Sequence, residues 1–151
     1  MSASVSDSNS LTHMSIQKLV VGDTYSTEFS ISKEDLDRFT AMSGDNNNIH
    51  FDLEAAARSP IGALAVPGIL SASKVSGVHG TQFPGHGTVY ATEYLKWRRP
   101  MFVDVVYTID VRVTRIKRDR HRAKLHTIVR RKDTNQVSLI TFAEIVHKEL
   151  I

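Results

Sequence analysis

Asp45 and His50 stand five residues apart in the segment Ser43-Gly44-Asp45-Asn46-Asn47-Asn48-Ile49-His50-Phe51-Asp52. A carboxylate that takes a proton and an imidazole that titrates near neutral pH are the pair needed to add water to a double bond, or to remove it. The residues between them are short and polar. Such side chains bond to their own backbone and tolerate left-handed conformations, so the loop can fold both groups onto one water molecule. The same composition also suits a solvated turn.

A second segment, Ala65-Val66-Pro67-Gly68-Ile69-Leu70-Ser71-Ala72-Ser73-Lys74-Val75-Ser76-Gly77-Val78, reads as a helix entered through Pro-Gly. Its small, largely apolar residues suit a helix packed closely against a sheet over most of its surface. Glycine at the entrance leaves backbone N–H groups unobstructed, and the positive end of the helix dipole reinforces them. The Gly68 N–H can then hold a carbonyl oxygen as it gains negative charge, although an ordinary core helix would begin the same way.

Periodicity predicts the elements that hold these two segments. Tyr25 to Ser30 reads as a first short strand. Ser32 is placed to cap a helix, with Asp35 three residues on and Ile31 positioned to staple against Leu36. Leu36, Phe39 and Met42 follow at helical spacing, and Gly44 ends that helix. Asp52 reads as the cap of a short helix over Leu53 to Arg58, stopped by Ser59-Pro60. The small-residue helix runs from Gly68 to about His79. From Thr88 the period becomes two. Val103, Val105, Tyr107, Ile109, Val111 and Val113 alternate with polar residues, which predicts a half-buried strand over Val103 to Val113. Turns at Arg118 to His121 and Asp133 to Asn135 separate it from strands over Ala123 to Lys132 and Val137 to His147. The expected class is α+β, with one antiparallel sheet wrapped around a central helix.

Composition bounds the rest. At 151 residues the chain suits one domain, expected over residues 16–151, preceded by a Ser-rich flexible tail over residues 1–15. It has no cysteine, which excludes disulfides and thiolate metal sites. No apolar run approaches the roughly 20 residues of a membrane span. The N-terminal residues lack the basic and apolar blocks of a secretion signal, so the expectation is a cytoplasmic protein, with the mitochondrial matrix as the other compartment considered. The seven histidines lack metal-ligand spacing, and no metal is expected. His79 and His86 are read as loop residues flanking Gly80 to Gly85. Net charge is +3, yet Lys96 to Lys132 holds 13 of the 19 basic residues against three acidic ones. That block suits phosphates or an acidic protein face. Nucleic acid is the rival partner, disfavoured because only Trp97, Phe102 and Tyr107 are aromatic within the block.

These residues carry a resemblance. The chain is similar to MaoC-type, (R)-specific enoyl-CoA hydratases and 3-hydroxyacyl dehydratases of the hotdog fold. Their signature Ser-Gly-Asp-x-Asn-Pro-Ile/Leu-His-x-Asp stands here as Ser43 to Asp52, with Asn48 in place of Pro. The entry to the small-residue helix stands as Val66 to Leu70, with Pro67 in place of His. Phe83-Pro84-Gly85-His86-Gly87 matches a Leu-Pro-Gly-x-Gly segment, and Glu93 to Pro100 matches a strand that usually begins with Gln. The resemblance spans Val20 to Ile145 and implies a single hotdog domain, expected to form a homodimer. It implies reversible, cofactor-free hydration of a trans-2-enoyl thioester, carried by CoA or acyl carrier protein, to the (3R)-hydroxyacyl thioester. Asp45 and His50 would hold the water and the Gly68 N–H the thioester oxygen. Asn47 would shape the loop on the substrate side, Ser76 would orient the carboxylate, and Arg98 and Arg99 would meet the substrate. A hotdog thioesterase and a non-catalytic acyl-thioester-binding protein are the competing readings.

Overall fold

The computed structural model describes residues 17–151, so the expected tail lies outside the described residues. Elements follow in the order β1 Thr24–Phe29, α1 Lys33–Ser43, a 3-10 turn at Asn48–His50, α2 Leu53–Arg58, α3 Gly68–Thr81, β2 Val89–Trp97, β3 Tyr107–Lys117, a second 3-10 turn at Arg118–Arg120, β4 Arg122–Arg131 and β5 Val137–Val146.

The five strands form one antiparallel sheet in the order β1-β3-β4-β5-β2, which leaves β1 and β2 as its edges. Alternation aims one face of each central strand at α3. Tyr107, Ile109, Val111 and Val113 of β3, Ala123, Leu125 and Val129 of β4, and Leu139, Ala143 and Ile145 of β5 are all buried. Leu70, Val75 and Val78 of α3 join them in one core with Leu36 and Phe39 of α1. A sheet curled around a central helix is the hotdog arrangement that the sequence predicts.

Local chemistry explains the helix ends. Ser32 Oγ accepts from the Asp35 N–H while the Asp35 carboxylate accepts from the Ser32 N–H, a reciprocal cap. Gly44 closes α1 in the left-handed region at φ 76°, its N–H donating to the Thr40 carbonyl. Asp52 Oδ1 accepts from the N–H groups of Glu54 and Ala55 at 2.8 and 3.1 Å, the cap expected for α2. Lys74 of α3 pairs with Asp35 at 3.1 Å and so ties α3 to the start of α1.

Three expectations need correction. The third strand begins at Tyr107, four residues later than the apolar alternation suggests. Asp104 adopts φ 59° and breaks the extended run, while Val103 and Val105 still pack partly buried against the core. Alternating burial therefore continues where no ladder of hydrogen bonds exists. Met42 follows Leu36 and Phe39 at helical spacing but is 79% exposed, because the core covers only the first two turns of that face. His79 is not a loop residue: it lies in α3 and is completely buried.

Candidate active site

The Asp45 loop is built by its own polar side chains. Ser43 Oγ accepts from the Asp45 N–H at 3.1 Å, and Asp45 Oδ1 accepts from the Asn47 N–H at 3.4 Å. Asn47 in turn accepts from the Ile49 N–H at 3.4 Å and caps the 3-10 turn that ends at His50. The turn reverses the chain and brings the imidazole back toward the carboxylate. His50 Nε2 lies 4.0 Å from Asp45 Oδ2. That gap is too wide for a direct hydrogen bond and narrow enough for one water to touch both atoms.

His50 is buried, and its Nδ1–H donates to the Ala65 carbonyl at 2.6 Å. A carbonyl only accepts, so this bond places a proton on Nδ1, and in the neutral ring the Nε2 lone pair then faces Asp45. The Asp45 side chain is 41% exposed at the rim. One partner is thus desolvated and fixed while the other meets solvent.

His50 and Gly68 line a cleft of about 370 Å³ together with Ile49, Ile61, Ala65, Val66, Ser71, Trp97, Arg99, Pro100 and Met101. Most of that wall is apolar, as is usual for a small-molecule cleft. Gly68 opens α3 behind Pro67, which offers no side-chain cap, so among the described residues no side chain caps the first N–H groups of the helix. Glycine is needed there for space. A Cβ at position 68 would meet Trp97 Cε2 at 3.0 Å. Trp97 Nε1–H is 3.2 Å from both the Gly68 carbonyl and Ser71 Oγ, and the Ser71 hydroxyl donates to the same carbonyl at 2.6 Å. These bonds hold the indole across the start of α3.

The structure therefore sets Asp45 beside His50, and gathers His50, Gly68 and Arg99 around one cleft. Asn47 caps the turn behind them. The Arg98 N–H donates to the Ser138 carbonyl at 2.8 Å, and its side chain is not among those lining the cleft. Ser76 stands two turns further along α3, on a separate groove. Of the thirteen basic residues between Lys96 and Lys132, Arg99 alone lines the cleft among the described residues. Arg122, Arg130, Arg131 and Lys132 are paired with Glu144, Asp110, Asp133 and Glu28. Among the described residues no three His, Asp or Glu side chains cluster as metal ligands, and no helix is long and apolar enough to cross a membrane.

Trp97 and Ser71 are the site residues that sequence reasoning passed over. Trp97 carried a signal, since it is the sole tryptophan and lies two residues before Arg99. Its position over Gly68 needed the register of β2 against α3.

Residues 17–138 match the family described as MaoC like domain. A 3-hydroxybutyryl-CoA dehydratase of Methylorubrum extorquens is 35% identical over 109 residues, covering 72% of this chain and 69% of that protein. An (R)-specific enoyl-CoA hydratase of Aeromonas caviae is 35% identical over 114 residues, covering 76% of this chain and 85% of that protein. The solved structure of an (R)-hydratase from A. caviae superimposes with a TM-score of 0.79 at 30% identity, covering 87% of this chain and 99% of that one. The family match, the relatives and the superposition agree with the sheet and helix described above: the chain belongs to the MaoC-like family.

Proposed function

We propose that this protein is a hydro-lyase that reversibly hydrates trans-2-enoyl thioesters to (3R)-hydroxyacyl thioesters. The observation that carries the reading is the 4.0 Å gap between His50 Nε2 and Asp45 Oδ2, beside a cleft that also contains the free helix start at Gly68. A water in that gap touches a basic nitrogen and a carboxylate at once. His50 Nε2 takes its proton as the oxygen attacks C3, with the Nδ1 bond to Ala65 steadying the imidazolium that forms. The C2–C3 π electrons move toward the thioester oxygen, which gains negative charge against the Gly68 N–H. One such donor is worth about 3–4 kcal/mol of barrier. The pair then delivers a proton to C2 on the face from which water came, which is syn addition. The relatives named above act on CoA thioesters, and this supports CoA as the carrier here.

The protein acts as a homodimer. β2 is an edge strand whose Val89 and Tyr94 are 62% and 59% exposed, and an unpaired apolar edge is what a second sheet covers.

Crotonyl-CoA hydration tests the activity, followed as loss of enoyl-thioester absorbance. Wild type turns over, and Asp45→Asn and His50→Gln each lose roughly a hundred- to ten-thousand-fold in kcat while keeping the native circular dichroism. Release of free thiol in place of hydration would replace this reading with hydrolysis.

A further inference from the structure

A buried polar cluster lies against β2 that the hydration chemistry does not use. His79 Nδ1 is 2.7 Å from the Tyr90 hydroxyl and its Nε2 is 2.9 Å from Thr127 Oγ1. Burial pushes the imidazole pKa down to about 4, so the ring is neutral, with one nitrogen donating and the other accepting. Tyr90 is thereby tied to α3. Burial and the neighbouring Glu93 carboxylate hold its phenol protonated, partly offset by a hydrogen bond with Ser76.

Tyr90 borders a groove of about 200 Å³ between α3 and β2. Ile69 and Leu95 line the end nearest the active-site cleft, Ser73 and Glu93 follow, and Ser76 and Tyr90 lie farthest along. The groove neighbours the cleft, whose lining includes Gly68 and Trp97, along both α3 and β2. Ile69 directly follows Gly68 on the helix, and Leu95 and Trp97 are successive residues on one face of β2. From Gly68 to Ser76 the helix climbs about 12 Å at roughly 1.5 Å per residue. The near end is apolar and the far end offers two hydroxyls and a carboxyl. Burial raises the Glu93 pKa, and the Thr141 hydroxyl, which has no well-formed hydrogen bond of its own, lies near enough to favour the charged carboxylate.

We infer that this groove receives the acyl chain of the substrate, and that its far end recognises a chain bearing a hydroxyl group several carbons beyond the reacting double bond. The inference rests on the thioester hydratase reading above. A bare alkyl tail would displace water from Ser76, Tyr90 and Glu93 and return no hydrogen bond, which is unfavourable for each polar group. A hydroxyl donates to the Glu93 carboxylate and accepts from Ser76 or Tyr90, so it replaces what it displaces. The pantetheine arm of a carrier also bears hydroxyl and amide groups, and the test therefore keeps the carrier constant.

Calorimetry with octanoyl-CoA and 8-hydroxyoctanoyl-CoA reads the groove directly, because neither ligand has a double bond to hydrate. Wild type should bind the hydroxylated chain about tenfold tighter, the scale of one net hydrogen bond. Glu93→Leu should erase that preference, and Glu93→Gln, similar in volume and still an acceptor, should retain part of it. Equal binding of the two ligands by wild type overturns the inference, as does a preference unmoved in Glu93→Leu. Equal weakening of both ligands in Glu93→Leu also overturns it, since the carrier arm would then fill the groove. Should Glu93→Leu fail to fold, Glu93→Gln and Ser76→Ala decide: a reduced preference upholds the inference and an unchanged one refutes it. Crotonyl-CoA hydration measured alongside separates the two claims. Preference without hydration would leave the groove assigned and remove the hydratase reading; hydration without preference would do the reverse.

Discussion

Replacing His79 with Gln should flatten the acid limb of this protein's stability profile. His79 is completely buried and its pKa is pushed down from 6.5 to about 4 by that burial. In the unfolded chain the imidazole protonates near 6.5; in the native state it resists until about 4. Between those values the unfolded state binds more protons, so stability falls as pH falls, and the contribution is fully present above 6.5. The depression corresponds to about 3 kcal/mol at roughly 1.4 kcal/mol per pH unit. Urea unfolding, read by the fluorescence of the sole tryptophan, Trp97, measures it at pH values from about 7.5 down to about 4 and at one fixed protein concentration. The Gln variant has its own constant loss at neutral pH, because Tyr90 and Thr127 cannot both keep their partner. What matters is the slope. Wild type should lose about 3 kcal/mol more than the variant between the two ends of the range. Parallel profiles would refute the reasoning and show that acid acts through other groups.

Three further outcomes follow from the geometry. Gly68→Ala drives a methyl group into the Trp97 indole at 3.0 Å, and overpacking of that kind is destabilising by about 1–3 kcal/mol. Trp97→Leu in the same chain should relieve part of that loss, so the double-mutant cycle in urea is non-additive; strict additivity would contradict the contact. Ser32→Ala removes the reciprocal cap of α1 and should lower stability by about 1 kcal/mol without changing the affinity for enoyl-CoA, as urea unfolding and Michaelis kinetics would show. Sedimentation equilibrium should give a dimer, and a charged residue at Tyr94 on the exposed β2 edge should shift it toward monomer; an active monomer of wild type would refute the edge-to-edge assembly.

Much of this was legible in the residues. Ser32, Gly44 and Asp52 act on backbone groups within four positions of themselves, so capping chemistry placed three helix ends without tertiary information. The alternation in β3, β4 and β5 reports which face meets the core, and that face is buried as expected. The order Asp45, turn, His50, and later Pro67-Gly68, also identified the family, because a short loop and a helix start are both local objects.

Other features depend on packing between segments distant in sequence. Periodicity starts β3 too early because Val103 and Val105 pack partly buried side chains without joining a ladder, and periodicity measures burial rather than hydrogen bonding. The sequence places His79 at a loop because nothing local shows Tyr90 and Thr127 converging on it, 11 and 48 positions away. The proton on His50 Nδ1 follows from a bond to Ala65, 15 residues on, and the position of Trp97 over Gly68 from the register of an edge strand against a helix. By itself the sequence determined which groups are present, where helices begin and end, and which faces are apolar, since those follow from short-range sterics and solvation. Only the tertiary structure decided which nitrogen faces the carboxylate, what crowds the helix start and where the polar groove runs, because each depends on the distance between groups that the chain brings together from far apart.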